Sequence, residues 1–172
     1  MKKIMFNDKY SLTQAVLNGR KTQTRRIAKR IKYKPYEVIA VAQKYRDCGG
    51  LNEEGVPRWD MIAKAVGTTD GGWNNKMFVR ADLMPHRIRI TNVRIERLQD
   101  ISDEDCLKEA IFESLREGKD NQYEAVYCIP NDTRNFKNPR EAFADLIDKV
   151  NGKGTWDSNP YVWVYDFELV KP

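Results

Sequence analysis

Residues 19–26, GRKTQTRR, set four cationic side chains and two threonines into eight positions. A threonine hydroxyl attacks a carbonyl only when a base takes its proton, and the base here has few sources. The chain has a single histidine, His86, which removes most histidine-based triads and leaves a carboxylate or a neutral lysine. Lys21 stands among Arg20, Arg25 and Arg26. Like charges and partial burial both favour the neutral form of a lysine, so these neighbours suit Lys21 to act as a base towards Thr24. A spacing of three on a loop or strand does not by itself bring the two side chains together.

The charge around this stretch is lopsided. No acid occurs between Asp8 and Glu37, while Arg20, Lys21, Arg25, Arg26, Lys29, Arg30, Lys32 and Lys34 fall within fifteen residues. The chain carries 30 basic and 25 acidic residues, so the net +5 resides in this segment. Such a cluster on an otherwise near-neutral chain is the footprint of a phosphate or nucleic-acid contact surface, or else a solvated basic loop.

The elements that must position it can be read from pattern. Lys2–Phe6 reads as a short strand. SLTQAVLNG follows as a helix, with Ser11 and Gln14 as a capping box and Gly19 as the stop. EVIAVAQ is a strand buried on both faces. Residues 44–76 are rich in Gly, Asn and Asp and read as an excursion in which MIAKAV makes a turn or two of helix. KMFVRADL reads as a strand, and so does HRIRITNVRIERL, whose apolar positions change parity near Thr91 and Asn92 and predict a bulge or sharp bend there. ISDEDCLKEAIFESLREG reads as one helix, opened by Ser102 with Asp105 and an Ile101–Cys106 staple, and closed by Gly118. YEAVYCI, within a second polar excursion at 119–138, is a strand or a packed loop. NPREAFADLIDKVNG is an amphipathic helix with Asn138 as cap and Pro139 at its first position. The closing WDSNPYVWVYDFELV puts Tyr161, Trp163, Tyr165, Phe167 and Leu169 on one strand face, a pattern read as a core strand in preference to a base-stacking platform.

Composition sets the remaining bounds. At 172 residues, 41% hydrophobic and 32% charged, the chain suits one globular domain of ordinary size. No apolar run is long enough for a membrane helix, and MKKIMFNDKY lacks the pattern of a signal peptide, so a cytoplasmic location without membrane association is expected. Cys48, Cys106 and Cys128 lie outside any C-x-x-C and are expected to be reduced and structural; no metal and no cofactor are expected.

Three stretches in order, GRKTQTRRI, ITNVRIERLQDISDEDCLKEAI and NGKGTWDSNPYVWVYDFELV, resemble the ASCH domain family of the PUA-like superfamily. The resemblance implies an α+β fold, a small mixed PUA-like β-barrel with flanking helices, formed by residues 1–172 as one domain with insertions at about 44–76 and 119–138. It also implies a cleft lined by the G-x-K-x-x-T-x-R element, here Gly19, Lys21, Thr24 and Arg26, and an association with RNA or modified nucleosides. Some small bacterial relatives are amidohydrolases that deacetylate N4-acetylcytidine with a lysine, a threonine and a glutamate. Lys21 and Thr24 match the first two, and Glu109 aligns with the third, at the edge of its helix's apolar stripe one turn after Cys106. Many relatives carry a glutamate on the strand after the basic motif. This chain has Gln43 there, which removes a negative charge and leaves an amide able to read a base edge.

In that reading Thr24 is the nucleophile, Lys21 the base and Glu109 the proton carrier, with Arg20, Arg25 and Arg26 binding phosphate or polarising a carbonyl. Tyr45, Trp156 and Asn159 are candidates for stacking on or hydrogen-bonding a base. The alternatives are a noncatalytic RNA-binding module, a ribonuclease-like activity, and a protein-interaction module that offers the basic stretch to an acidic partner.

Overall fold

The computed structural model describes residues 1–171 and is a mixed α+β structure with two sheets. In chain order its elements begin with β1 (Lys3–Ile4), α1 (Leu12–Leu17), β2 (Gln23–Arg26), β3 (Val38–Val41), α2 (Arg58–Val66), β4 (Arg87–Arg97) and α3 (Asp103–Lys108). They continue with β5 (Phe112–Glu117), β6 (Tyr123–Cys128), β7 (Asn135–Phe136), α4 (Pro139–Asn151), α5 (Thr155–Ser158) and β8 (Tyr161–Val170). Among the described residues the strand pairings do not close into a barrel, and no helix is long and apolar enough to cross a membrane.

The chain divides into two compact units, each assembled from separated stretches. The first takes residues Met1–Phe6, Glu37–Arg89 and those from Leu169 onward. In it β1 pairs parallel with β3, Lys3 opposite Ala40, and β3 pairs antiparallel with the start of β4, Ile39 opposite Ile88. Strand β3 is covered on both faces, as its unbroken apolar run requires: Ile39, Ala40 and Val41 are buried. The 44–76 excursion is part of this unit's core, because Tyr45, Cys48 and Ile62 cluster with Ala40, Ala42, Val79 and Met84. Gly72 is demanded there by close approach, since a Cβ at this position would lie 2.5 Å from the Tyr45 ring.

The second unit takes Asn7–Tyr36 and Ile90–Glu168. Within it the sheet order runs β4, β8, β2, with β2 antiparallel to β8 and Thr24 opposite Tyr165. A separate antiparallel sheet runs β5, β6, β7. Helix α4 packs against α3, α5, β6 and β7 and buries Phe143, Leu146 and Ile147 of its apolar stripe but leaves Val150 exposed, with Asn138 Oδ1 accepting the Glu141 N–H at 2.9 Å.

Several expectations need correction. Ser11 does not cap α1: it adopts φ 51° and makes no capping bond, and Thr13 Oγ instead donates to Asp8 Oδ1 at 2.6 Å. The helix expected over Ile101–Gly118 stops at Lys108, although its start is as read, with Ser102 Oγ accepting the Asp105 N–H. Ala110 turns left-handed at φ 88°, and Phe112–Glu117 becomes β5, because pairing with the β-prone YEAVYC segment overrides the helical periodicity. KMFVRADL is no strand. The Asn75 side chain and carbonyl accept the N–H groups of Met77 and Phe78, which commits that backbone to a turn, and both side chains are exposed. Strand β4 runs unbroken through Thr91 and Asn92. Beyond Asn92 the even positions Arg94 and Glu96 are half-covered and held in ion pairs, while Ile95 is exposed. The apolar parity change therefore accompanies a change of chemistry along the strand.

Candidate active site

Three backbone bonds place Lys21 at the start of β2. Its own N–H donates to the Ala15 carbonyl of α1 at 2.9 Å; Thr22 N–H donates to the Lys108 carbonyl, and Thr22 O accepts the Phe167 N–H, each at 2.9 Å. Gly19, at φ 77°, supplies the left-handed reversal between helix and motif. Glu109 is delivered from the other side as the C-terminal cap of α3, its N–H donating to the Asp105 carbonyl at 3.0 Å.

Lys21 and Glu109, 2% and 4% exposed, meet there. Lys21 Nζ donates to Glu109 Oε2, to the Glu109 carbonyl at 3.3 Å and to the Gln23 carbonyl at 2.8 Å, so each of its three hydrogens has an acceptor. Burial pushes the Lys21 pKa below its ordinary 10.5; the Glu109 carboxylate works against that shift, and Arg26 and Arg25 add to it.

Around the pair lies a network that the sequence reading missed. Arg25 is enclosed: it donates to Gln23 Oε1, to Glu109 Oε1 at 3.4 Å, to Glu96 Oε2 at 3.1 Å and to Asp105 Oδ2 at 3.0 Å. Expected to hold phosphate, it is spent on protein acceptors and presents no side-chain surface. Arg94 spans Glu96, Asp166 and Asp105 at 2.5, 2.5 and 2.8 Å, and Gln23 Nε2 donates to Asp166 Oδ1 at 2.6 Å. Lys21 and Arg25 are thus neutralised by three carboxylates, Glu109, Glu96 and Asp105, with Asp166 paired to Arg94 beside them. Two signals could have found them: Arg94 and Glu96 are opposite charges two apart on one strand face, and Asp166 is an acid set between Tyr165 and Phe167 in β8.

Alternation along β2 puts Gln23 and Arg25 on one face and Thr24 and Arg26 on the other. Thr24 is buried, opposite Tyr165, and its hydroxyl has no hydrogen-bond partner among the described residues; neither Lys21 nor Glu109 bonds to it. Burial lowers the Arg26 pKa, against the pull of Tyr33, Glu109 and Tyr165. Arg20 is exposed, its Nε donating to Asn18 Oδ1 at 3.2 Å.

The remaining sequence candidates have other contacts. In the first unit, Gln43 donates its N–H to Met84 Sδ, while its Oε1 is buried with no partner among the described residues. Tyr45 is fully buried, its hydroxyl accepting the Arg80 N–H at 2.8 Å, which leaves no ring face for a base. In the second unit, Trp156 packs edge-on to Phe143 at 6.1 Å with Arg140 over its ring. Asn159 Oδ1 accepts the Gln99 N–H at 2.9 Å and so joins two loops.

Among the described residues no group of three or more His, Cys, Asp or Glu side chains is arranged to hold a metal ion. No protein-family model matches the chain, and neither a curated protein nor a solved structure matches it.

Proposed function

We propose that the chain is a PUA-like ASCH protein that binds an N-acylated cytidine and hydrolyses its exocyclic amide at Lys21, Thr24 and Glu109. The observation that carries this reading is the buried Lys21–Glu109 contact. A buried ion pair costs desolvation that its mutual attraction seldom repays, so its presence fits chemistry better than stability. The left-handed Ala110 directly after Glu109 is a second mark of a constrained position.

Proton transfer from Lys21 to Glu109 leaves a neutral amine. Thr24 Oγ then attacks the acyl carbonyl carbon as its proton passes to Lys21 Nζ. The carbon–nitrogen bond breaks, the cytosine amine takes that proton, and the acyl group stays as an ester on Thr24. Water adds to the ester, its proton following the same route, and releases the carboxylic acid and the free hydroxyl. Arg26 shares the Thr24 face of β2 and is assigned to stabilise the developing oxyanion.

The test is acetate release from N4-acetylcytidine by the purified protein. Wild type releases acetate, whereas Lys21→Ala and Thr24→Ala do not. No release at high protein concentration would sink the proposal. One observation favours a noncatalytic RNA-binding reading: all three Lys21 donors are engaged, as in a resting cation. In that case RNA affinity falls steeply with salt and is indifferent to Thr24→Ala.

A further inference from the structure

The exposed half of the basic motif continues beyond β2 into a surface of different character. Arg26 lies opposite Trp163, and past it Ala28 and Lys29 form, with Ile95, Tyr161, Val162 and Trp163, a groove of about 380 Å³. Its walls are aromatic and aliphatic, it has one cation and no acid, and Tyr161 is 61% exposed. The Arg97 guanidinium sits 3.9 Å from the Tyr161 ring centroid, anchored through a bond to the Asn159 carbonyl at 3.1 Å. Arg30 follows Lys29 and is exposed. These cations contrast with Lys21 and Arg25, which the carboxylates absorb.

Directly opposed residues of an antiparallel pair share a face. Thr24 with Tyr165 and Arg26 with Trp163 therefore form successive rungs on one face, and Tyr161 lies two residues further along β8. Each step is about 7 Å. The groove lies on the Thr24 face, two steps away, within the reach of a short oligonucleotide.

We propose that this groove binds single-stranded RNA, with a base stacking on Tyr161 or Trp163 and the neighbouring phosphates held by Lys29, Arg30 and Arg97. An exposed tyrosine and a half-buried tryptophan beside exposed cations are the combination that holds an unpaired strand. The inference rests on the nucleoside reading of the Thr24 region and extends it: the substrate is a modified cytidine within a strand.

Fluorescence anisotropy of a short, unacylated, cytidine-rich single-stranded RNA against the whole protein tests the groove without using the hydrolytic reaction. Binding should weaken linearly on a log–log salt plot. Tyr161→Ala should reduce affinity about tenfold with the salt slope unchanged, Tyr161→Phe should retain affinity, and Lys29→Ala should reduce the slope by about one. An unchanged affinity in Tyr161→Ala, equal binding of duplex RNA, or equal competition by an acidic polypeptide would each overturn the proposal. If N4-acetylcytidine is not hydrolysed but the strand still binds through Tyr161, the groove stands and the hydrolytic reading falls.

Discussion

Glu109 holds Lys21 twice, once through its carboxylate and once through its own main-chain carbonyl. Residues 88 positions apart in the chain are thereby joined at a point where α3 ends and β2 begins. The two partners are not equivalent. Glu109 also receives Arg25, so its carboxylate serves two cations.

That asymmetry predicts unequal costs. Removing the carboxylate in Glu109→Ala takes an anionic partner from both buried cations, Lys21 and Arg25, and should destabilise by about 3–5 kcal/mol. Lys21→Met leaves Glu109 with Arg25 and should cost clearly less. Urea denaturation of both variants checks the order, and equal losses would show that Arg25 does not compensate.

Acetate release should rise with pH. The Lys21 pKa lies below 10.5 because burial disfavours its cation, so the neutral base becomes available at lower pH than for a solvated lysine. The kcat/KM profile should inflect below 10.5. Stability follows the same sign: the unfolded chain binds this proton more tightly, so the Lys21 contribution is greatest above 10.5 and is lost as pH falls through the folded value.

The thiols should be inert. Burial pushes Cys48 up to about 11 and Cys106 up to about 12, and all three cysteines are free and buried. At pH 8 a disulfide reagent should label none of them in the native protein within minutes and all three in concentrated guanidinium. Rapid native labelling of Cys106 would mean that α3 opens readily.

Gly72→Ala should destabilise the first unit by about 1–3 kcal/mol, because the added methyl meets the fully buried Tyr45 ring. Thermal denaturation measures the loss. Tyr45→Phe in the same background should not restore it, since the clash is with the ring and not the hydroxyl.

What the sequence disclosed followed chemistry that is local. Asn138 with Pro139 and Ser102 with Asp105 announce helix starts because a cap and the donor it satisfies lie within three residues. Lys21 stood out through charge density, and Glu109 through the family resemblance. The acids Glu96, Asp105 and Asp166 did not, because a polar residue on a strand or short helix reads as solvated until its distant partner is known. The same non-locality misplaced residues 112–117: the strand there is fixed by pairing with β6, a condition absent from the segment itself.

The interleaving of the two units bears on how the protein is made. The first unit draws on residues near position 3, the middle of the chain, and those from Leu169 onward, so on the ribosome it cannot be completed until nearly every residue of the second has emerged. No single cut separates the two. Truncation mapping will damage both units at once, and residue-by-residue substitution is the route to assigning their roles.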